Sequence, residues 1–400
     1  MTARLDVHAV RGRRPRRAMP AFACALLGGT LVAALPFIAR HVDGSADEFS
    51  GRTVPVLPAI GWIICAALAA VVVTHRLQIW FKVDEGSVLA LAYDVLPIVL
   101  VLAPVVAVAA AATGHWLLAA AGVALTGYHA LLVIPRLVTQ RLPSWTRAAP
   151  RFRLAVANVY VDNPTPADAA RQLVQSGADL IALSEATPAF MTIFDAAGGD
   201  VSHPHRVSDP ADTTDYAIAI ASRLPLGRHS TVKLLGKLRL AIAEVEIDGV
   251  MATIEALNPR STFDAEGQET WKEQIAELTA HVPSIRGPLV VAGDLNSTKF
   301  RPEFEDLRRV GLADAIDALG QAWRPTFSLK SVRPLGVFGR IARIDQALVN
   351  DQIRAVHVQH LPAQGSDHVP FVVTLAVRRP VAPPGDAAPA NVTTAPHSRG

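Results

Sequence analysis

Several short apolar runs of this chain begin or end on a group that can bind a cation or move a proton. Val290–Ala292 runs into Gly293, Asp294, Leu295 and Asn296. That pattern predicts a buried strand delivering a carboxylate and a carboxamide, two residues apart, to the rim of a sheet. Strand alternation would put Asp294 and Asn296 on one side and turn Leu295 into the core. The run Asp179–Ser184 stops at Glu185, and Phe152–Val161 carries Asn158 toward its end. Arg343–Val349 carries Asp345, and Asp367-His368 precede the run Phe371–Val377. Oxygen- and amide-bearing rims of this kind suit hard cations and phosphate esters. A histidine with an acid partner can donate or accept a proton near neutral pH. Each residue also has a plainer use. Glu185 could be a solvated loop acid, Asn158 and Asp367 could cap turns, and Asp345 could pair with Arg343 or Arg340.

Such groups need a scaffold, and residues 152–377 alternate between strand and helix patterns. Thr165–Gly177 opens with Pro166 and Asp168 and carries Ala, Leu and Val at helical spacing. Gln268–Val282 places Trp271, Ile275 and Leu278 on one helical face, and a further helix is predicted from Pro302 to Val310. Ala217–Ser222 reads as a strand, and Leu240–Ile247 with Val250–Ala256 as a hairpin around Asp248-Gly249.

Ahead of this half the chain is of another kind. Half of the 400 residues are hydrophobic, and the excess lies in apolar runs at about Ala21–Ala39, Ile60–Val73, Leu89–Ala112 and Leu117–Ile134. A membrane span needs about 20 predominantly apolar residues, so the pattern predicts a bundle of about four transmembrane helices. Pro97 and Pro104 in the third run are tolerable kinks, and Asp94, near its start, is expected at the interface. The predicted layout is a basic N-terminus over 1–18, spans within 19–135, a linker over 136–151, a folded domain over 152–377 and a disordered Pro/Ala-rich tail from 378. Arg11, Arg13, Arg14, Arg16 and Arg17 precede the first run, and Arg136, Arg141, Arg147, Arg151 and Arg153 follow the last. Four spans in a multi-pass cell-membrane protein would place the domain in the cytoplasm under the positive-inside rule; three would place it outside. Residues 1–150 hold 13 Lys and Arg against 7 Asp and Glu, so the remaining 250 residues are slightly acidic. That balance argues against long duplex nucleic acid as a partner. Cys24 and Cys65 both sit in apolar runs, so no disulfide frames the domain.

Taken in order, Asn158, "DLIALSE" ending at Glu185, "ASRLPL", "GDLNS", "RIDQAL" and "GSDHVPF" resemble the endonuclease/exonuclease/phosphatase superfamily, in particular its membrane-anchored bacterial branch. The resemblance covers about residues 152–377. It implies a four-layer α/β sandwich, two packed β-sheets flanked by helices, with the site where strand ends converge. The implied activity is hydrolysis of a phosphodiester or phosphomonoester with Mg²⁺ or Mn²⁺. In those terms Glu185 is the principal metal ligand and Asn158 helps to orient metal and phosphate. Asp294 orients or deprotonates the attacking water, and Asn296 hydrogen-bonds the phosphate. Asp367 is a further metal-side acid. His368 is the imidazole beside the scissile phosphate, oriented by Asp345. The implied partners are the lipid bilayer and a phosphoester: a lipid headgroup, a small phosphoester or a nucleic acid.

Two departures bear on activity. The family pattern H-L-x-P is met by Ala256-Leu257-Asn258-Pro259, which sets an alanine at the histidine position, and I-D-H is met by Ile344-Asp345-Gln346. Loss of one catalytic group costs orders of magnitude. The alternative to a hydrolase is therefore a weakened or inactive binding or scaffold protein that keeps the fold.

Overall fold

A computed structural model describes residues 56–81, 86–209, 212–235, 237–328 and 339–380. The first apolar run, the basic N-terminus and the tail beyond 380 lie outside the described residues.

Two six-stranded sheets are built on the same plan. The first has the order β13 (Ile353–His360), β14, β1, β2, β4 (Ile218–Ser222), β3 (His205–Ser208), and the second β5 (Leu226–Leu234), β6 (Leu238–Ile247), β7, β8, β12, β9 (Ala313–Asp314). In the first, β1 (Arg151–Asn158) lies parallel to β2 (Leu180–Ser184) and antiparallel to β14 (Phe371–Val377). In the second, β7 (Val250–Leu257) lies parallel to β8 (Leu289–Asp294), which pairs antiparallel with β12 (Asp345–Val349). All other pairings within the two sheets are antiparallel. A parallel pair needs a crossover connection, usually helical. In order along the chain after five N-terminal helices, α6 (Pro166–Gln175) supplies one and α9 (Ala265–His281) the other.

The faces of the sheets follow strand alternation. Leu154, Val156, Ile254, Val290, Ala292 and Phe371 meet in an inner core between the sheets. Ala155, Ile181 and Leu183 turn outward under α6 and α7 (Pro188–Ala196). Leu257, Val291 and Leu295 turn outward under α9 and α10 (Glu303–Arg309). The result is the expected layering: helices, sheet, sheet, helices. The hairpin between β6 (Leu238–Ile247) and β7 turns at Asp248 and Gly249, with φ of 46° and 82°, as a two-residue I′ loop requires.

β5 (Leu226–Leu234) carries no strand signal in the sequence. It is an edge strand with five consecutive exposed residues, Gly227–Thr231, so neither alternation nor an apolar run marks it.

The N-terminal helices are α1 (Val56–Phe81), α2 (Gly86–Asp94), α3 (Leu96–Val99), α4 (Leu102–Ala112) and α5 (Trp116–Leu137). Two stretches, Pro58–Phe81 and Trp116–Leu137, are long and apolar enough to cross a membrane, by length and composition. The third apolar run is broken into α2, α3 and α4, of which Leu96–Ala112 forms one shorter apolar stretch. Gly61 packs against Leu118, near the starts of α1 and α5, while His75 and Arg136 line one cavity near their ends. These two helices therefore run parallel, with α3–α4 returning between them. Ile63, Val108, Val123 and Leu131 are each more than half exposed.

Candidate active site

The shared plan of the sheets brings the chemistry to one end of the sandwich. β1 and β2 end at Asn158 and Ser184, and antiparallel β14 begins just after His368. β8 ends at Asp294, directly opposite Asp345 at the start of β12. Six of the seven expected groups thereby join through their side chains, by hydrogen bonds and ion pairs, and the seventh, Asn296, through its backbone amide. Asn158 donates both amide hydrogens, to Glu185 Oε1 at 2.8 Å and to Asp294 Oδ2 at 2.9 Å. Its own Oδ1 accepts from the Tyr160 amide at 2.9 Å. Glu185 Oε2 accepts from the Val161 amide at 2.7 Å. His368 Nδ1 meets Asp345 Oδ2 at 2.8 Å, and its Nε2 faces Asp294 Oδ2 at 3.7 Å and Asp367 Oδ1 at 3.8 Å.

Backbone geometry serves the same cluster. Gly293 has φ of 146°, and a Cβ there would lie 2.1 Å from the Leu257 carbonyl oxygen, so no side chain fits before Asp294. Glu185 and Tyr160 hold φ of 58° and 59°, a left-handed conformation uncommon outside glycine and of the kind that gathers at functional sites.

Four carboxylates, those of Glu185, Asp294, Asp345 and Asp367, gather around a single cationic group. Burial first, and then the Asp345 charge, push the Asp294 carboxyl up to about 7 against the pull of His368 and the Asn158 and Asn296 bonds. Burial also raises Glu185. Burial alone would lower His368, but Asp345, Asp294 and Asp367 outweigh it and raise the imidazole to about 10. An excess of buried acid over base favours the binding of a cation. Asp345 Oδ1 is also buried with no hydrogen-bond partner among the described residues.

Donor atoms of Asp294, Asp345 and His368 lie within 4.8 Å of one another, close enough to share an ion. This is a different set from Glu185, Asn158 and Asp367, the ligands that the resemblance implies. Two of its members are already bonded to each other, and the Asp345–His368 bond is the geometry of an oriented imidazole. Either way the donors are oxygen-rich and suit a hard divalent cation.

Asn296 differs from expectation. β8 stops at Asp294, and Asn296 follows in a turn with φ of 51° rather than on the strand. Its Nδ2 donates to Asn258 Oδ1 at 3.2 Å and Pro259 O at 2.9 Å, while its backbone amide donates to Asp294 Oδ1 at 2.8 Å. In this arrangement the side chain braces the rim and offers no N–H to a phosphate. Ala256 also sits elsewhere than the motif match suggests. It pairs with Ala292 and is fully buried in the inner core. Continuing the register past Leu257 and Gly293 sets Asn258, not Ala256, level with Asp294. Gln346, at the other departure, donates to Ser297 O at 3.0 Å.

Three bracing residues escape sequence reading. Ser184 Oγ accepts from the Asp294 amide and donates to Leu257 O, tying the two sheets at the site. Ser366 Oγ donates to Asn158 O and accepts from the His368 amide. Thr326 Oγ1 accepts from the Asp345 amide at 3.1 Å. Serine and threonine at such places carry no pattern of their own.

The most distant surprise is Asp94. It is buried against the loop that follows Asp294. Its Oδ1 accepts from the Ser297 hydroxyl at 2.9 Å and the Thr298 amide at 2.8 Å, and its Oδ2 from Arg301 Nε at 2.9 Å. The helical part of the chain therefore holds the active-site loop directly.

A profile described as the Endonuclease/Exonuclease/phosphatase family matches residues 155–368. Among solved structures, D. rerio TDP2 humanized by 14 mutations aligns over 57% of this chain and 99% of its own, at 17% identity and a TM-score of 0.47. The endonuclease/exonuclease/phosphatase from Beutenbergia cavernae aligns over 57% and 72%, at 21% identity and 0.44. Sphingomyelinase C from Streptomyces griseocarneus aligns over 56% and 99%, at 16% identity and 0.43. No curated protein matches the chain.

Proposed function

The chain belongs to the endonuclease/exonuclease/phosphatase family, and from that premise we propose that it is a membrane-anchored phosphoesterase dependent on Mg²⁺ or Mn²⁺. The observation that carries this reading is the convergence of Asn158, Glu185, Asp294, Asp345 and His368 into one buried network with too little positive charge. Glu185, Asp367 and the Asn158 carboxamide would hold the cation, which would neutralise charge on the phosphate oxygens. Asp294 would orient the attacking water and take its proton. His368, held through Nδ1 by Asp345, would present Nε2–H to a phosphate oxygen or the leaving group. Asn158 would keep Glu185 and Asp294 apart at fixed distance. The slightly acidic domain favours a lipid headgroup or a small phosphoester over long duplex nucleic acid.

The anchor belongs to the same proposal: the membrane-anchored bacterial branch, about four spans, and a cytoplasmic domain. Parallel α1 and α5 with α3–α4 between them support it, because three crossings beginning opposite the domain require one more, at about 21–39, if the Arg-rich N-terminus stays inside. Turnover of bis(p-nitrophenyl) phosphate by the full chain in detergent, with Mg²⁺ or Mn²⁺, tests the enzyme. Glu185→Ala and His368→Ala should each abolish it, and activity surviving both discards the site.

The lack of a histidine at Ala256, where the motif sets one, and at Asn258, which the register sets level with Asp294, favours one second reading, a weakened enzyme or a scaffold that binds the cation without turnover. Asn258→His discriminates: a gain in rate indicates a weakened enzyme, whereas cation binding with no turnover in either form indicates a scaffold. Ala256→His is the wrong probe, because overpacking that core position costs roughly 1–3 kcal/mol.

A further inference from the structure

A cavity of about 200 Å³ lies where the ends of α1 and α5 meet the segment after the active-site loop. Arg76 from α1, Arg136 from α5, and Lys299, Arg308 and the Asp94-bound Arg301 from the domain contribute its cations, and Leu132 and Phe300 lie among its apolar walls. Carboxylates are present but engaged. Glu305 pairs with Arg308, Asp314 with Arg343 and Lys299, and Asp317 with Lys299. Hydrogen-bonding capacity is left over. Arg136 Nε is buried with no hydrogen-bond partner among the described residues and stands 4.0 Å from Asp317. His75 is 5% exposed; its Nε2 meets Phe300 O at 2.7 Å, and its buried Nδ1 has no partner among the described residues. A buried polar group left unsatisfied is costly, so these atoms favour a polar occupant.

We propose that this cavity binds the phosphate headgroup of an anionic membrane phospholipid. The inference rests on the membrane-anchored reading above. Arg76 and Arg136 sit near the same ends of the two membrane-length helices, at the depth where headgroups lie, and basic pockets between helices there take such groups. Trp80 and Phe81, 73% and 67% exposed, close α1 at that level, as interfacial aromatic residues do. The cavity is smaller than the roughly 300–1,000 Å³ of common small-molecule sites, which suits a headgroup whose acyl chains lie outside along the exposed apolar helix flanks. Lys299 and Phe300 follow Asn296 closely in sequence, and the same segment is held by Asp94 through Thr298 and Arg301. An occupied cavity therefore steadies the loop that follows Asp294.

The test uses the full chain in nanodiscs of phosphatidylcholine, with or without phosphatidylglycerol, read by retained lipid in native mass spectrometry and by Tm. Wild type should retain phosphatidylglycerol over phosphatidylcholine by on the order of tenfold, as two headgroup-level arginines allow, with a matching rise in Tm. Arg76→Gln with Arg136→Gln should lose that preference, and Arg76→Lys with Arg136→Lys should keep most of it. Equal retention of the two lipids by wild type overturns the site, as does undiminished phosphatidylglycerol in the glutamine variant. Glycerol 3-phosphate that displaces the lipid and reproduces the Tm rise alone assigns the cavity to a soluble anion and overturns the lipid. Entry into the bilayer without lipid preference sinks this inference alone; failure to enter any bilayer sinks the membrane reading with it.

Discussion

Asp294 and Asp314 are both buried aspartates at the second sheet, and they titrate in opposite directions. Asp314 ends β9 (Ala313–Asp314) and is gripped by Arg343, with Lys299 at 3.3 Å. Burial alone would raise it, but those two cations and their hydrogen bonds bring it down to about 2. Asp294 has Asp345 as a neighbour and only His368 as a positive one, and it rises to about 7. Desolvation acts on both, so the difference lies in who stands beside them. The Asp314 cluster carries its own cations and is complete as a piece of structure. The Asp294 cluster holds acids in excess, an arrangement that a folded protein keeps for a cation from outside.

The comparison breaks most sharply on activity. Glu185→Gln or Asp294→Asn should cut phosphodiester turnover by about 10²–10⁴, the range for a positioned acid–base group, while the melting temperature in chelator stays level or rises. Loss of both activity and fold would make the cluster structural after all. At the compensated cluster the signs reverse. Arg343→Met leaves Asp314 buried with one cation fewer, a change that costs about 3–5 kcal/mol when a buried pair is broken. Denaturant melts would show it, and the folded fraction should still turn over.

Asp94 links the helical region to the uncompensated cluster, and its removal should have an intermediate effect. Asp94→Asn keeps the shape but loses the charge facing Arg301 and acceptors for the Ser297 and Thr298 bonds. Small misplacements of a reacting group cost up to about 10² in rate; with Asp294 still tied to Ser184 and Asn158, about tenfold in kcat is expected, with KM little changed. A pure loss of stability, with kcat intact in the folded protein, would separate the helices from the site.

What could be read ahead of the structure follows the range of the interactions. Glu185, Asp294 and Asp345 were legible because each closes or opens an apolar run, a signal held within a few residues. Layer order was legible for the same reason, since α6, α9 and the central strands alternate clearly. Asn296 was misplaced because its position depends on the chain leaving the sheet at Asp294, behind a Gly293 that the Leu257 carbonyl forces to remain bare. Ala256 was misplaced because its level in the site depends on the β7–β8 register, a long-range property. Ser184, Thr326 and Asp94 act on partners 110, 19 and 203 or more residues away. No local pattern marks a hydroxyl or an acid for such a partner.

The smallest expected effect is a shift in the pH dependence of stability, and it carries both signs at once. An unperturbed aspartate titrates near 3.9. Asp314 folds with its value lowered to about 2, so its contribution is complete above about 3.9 and is lost as pH falls toward 2. Asp294 folds with its value raised to about 7, so its contribution is complete below about 3.9 and is lost as pH rises through 7. Without a divalent cation, stability from Asp294 should therefore fall from about pH 4 to about pH 7 and level off above it, while the Asp314 cluster contributes a constant amount over the same range. A cation competes with the Asp294 proton, so Mn²⁺ should raise Tm by a few degrees more at pH 8 than at pH 6, a ΔΔG of about 1 kcal/mol in a domain of this size. Asp294→Asn should flatten that difference, and Asp314→Asn should not. A Mn²⁺ shift of equal size at both pH values would mean that the ion lies too far from Asp294 to compete with its proton.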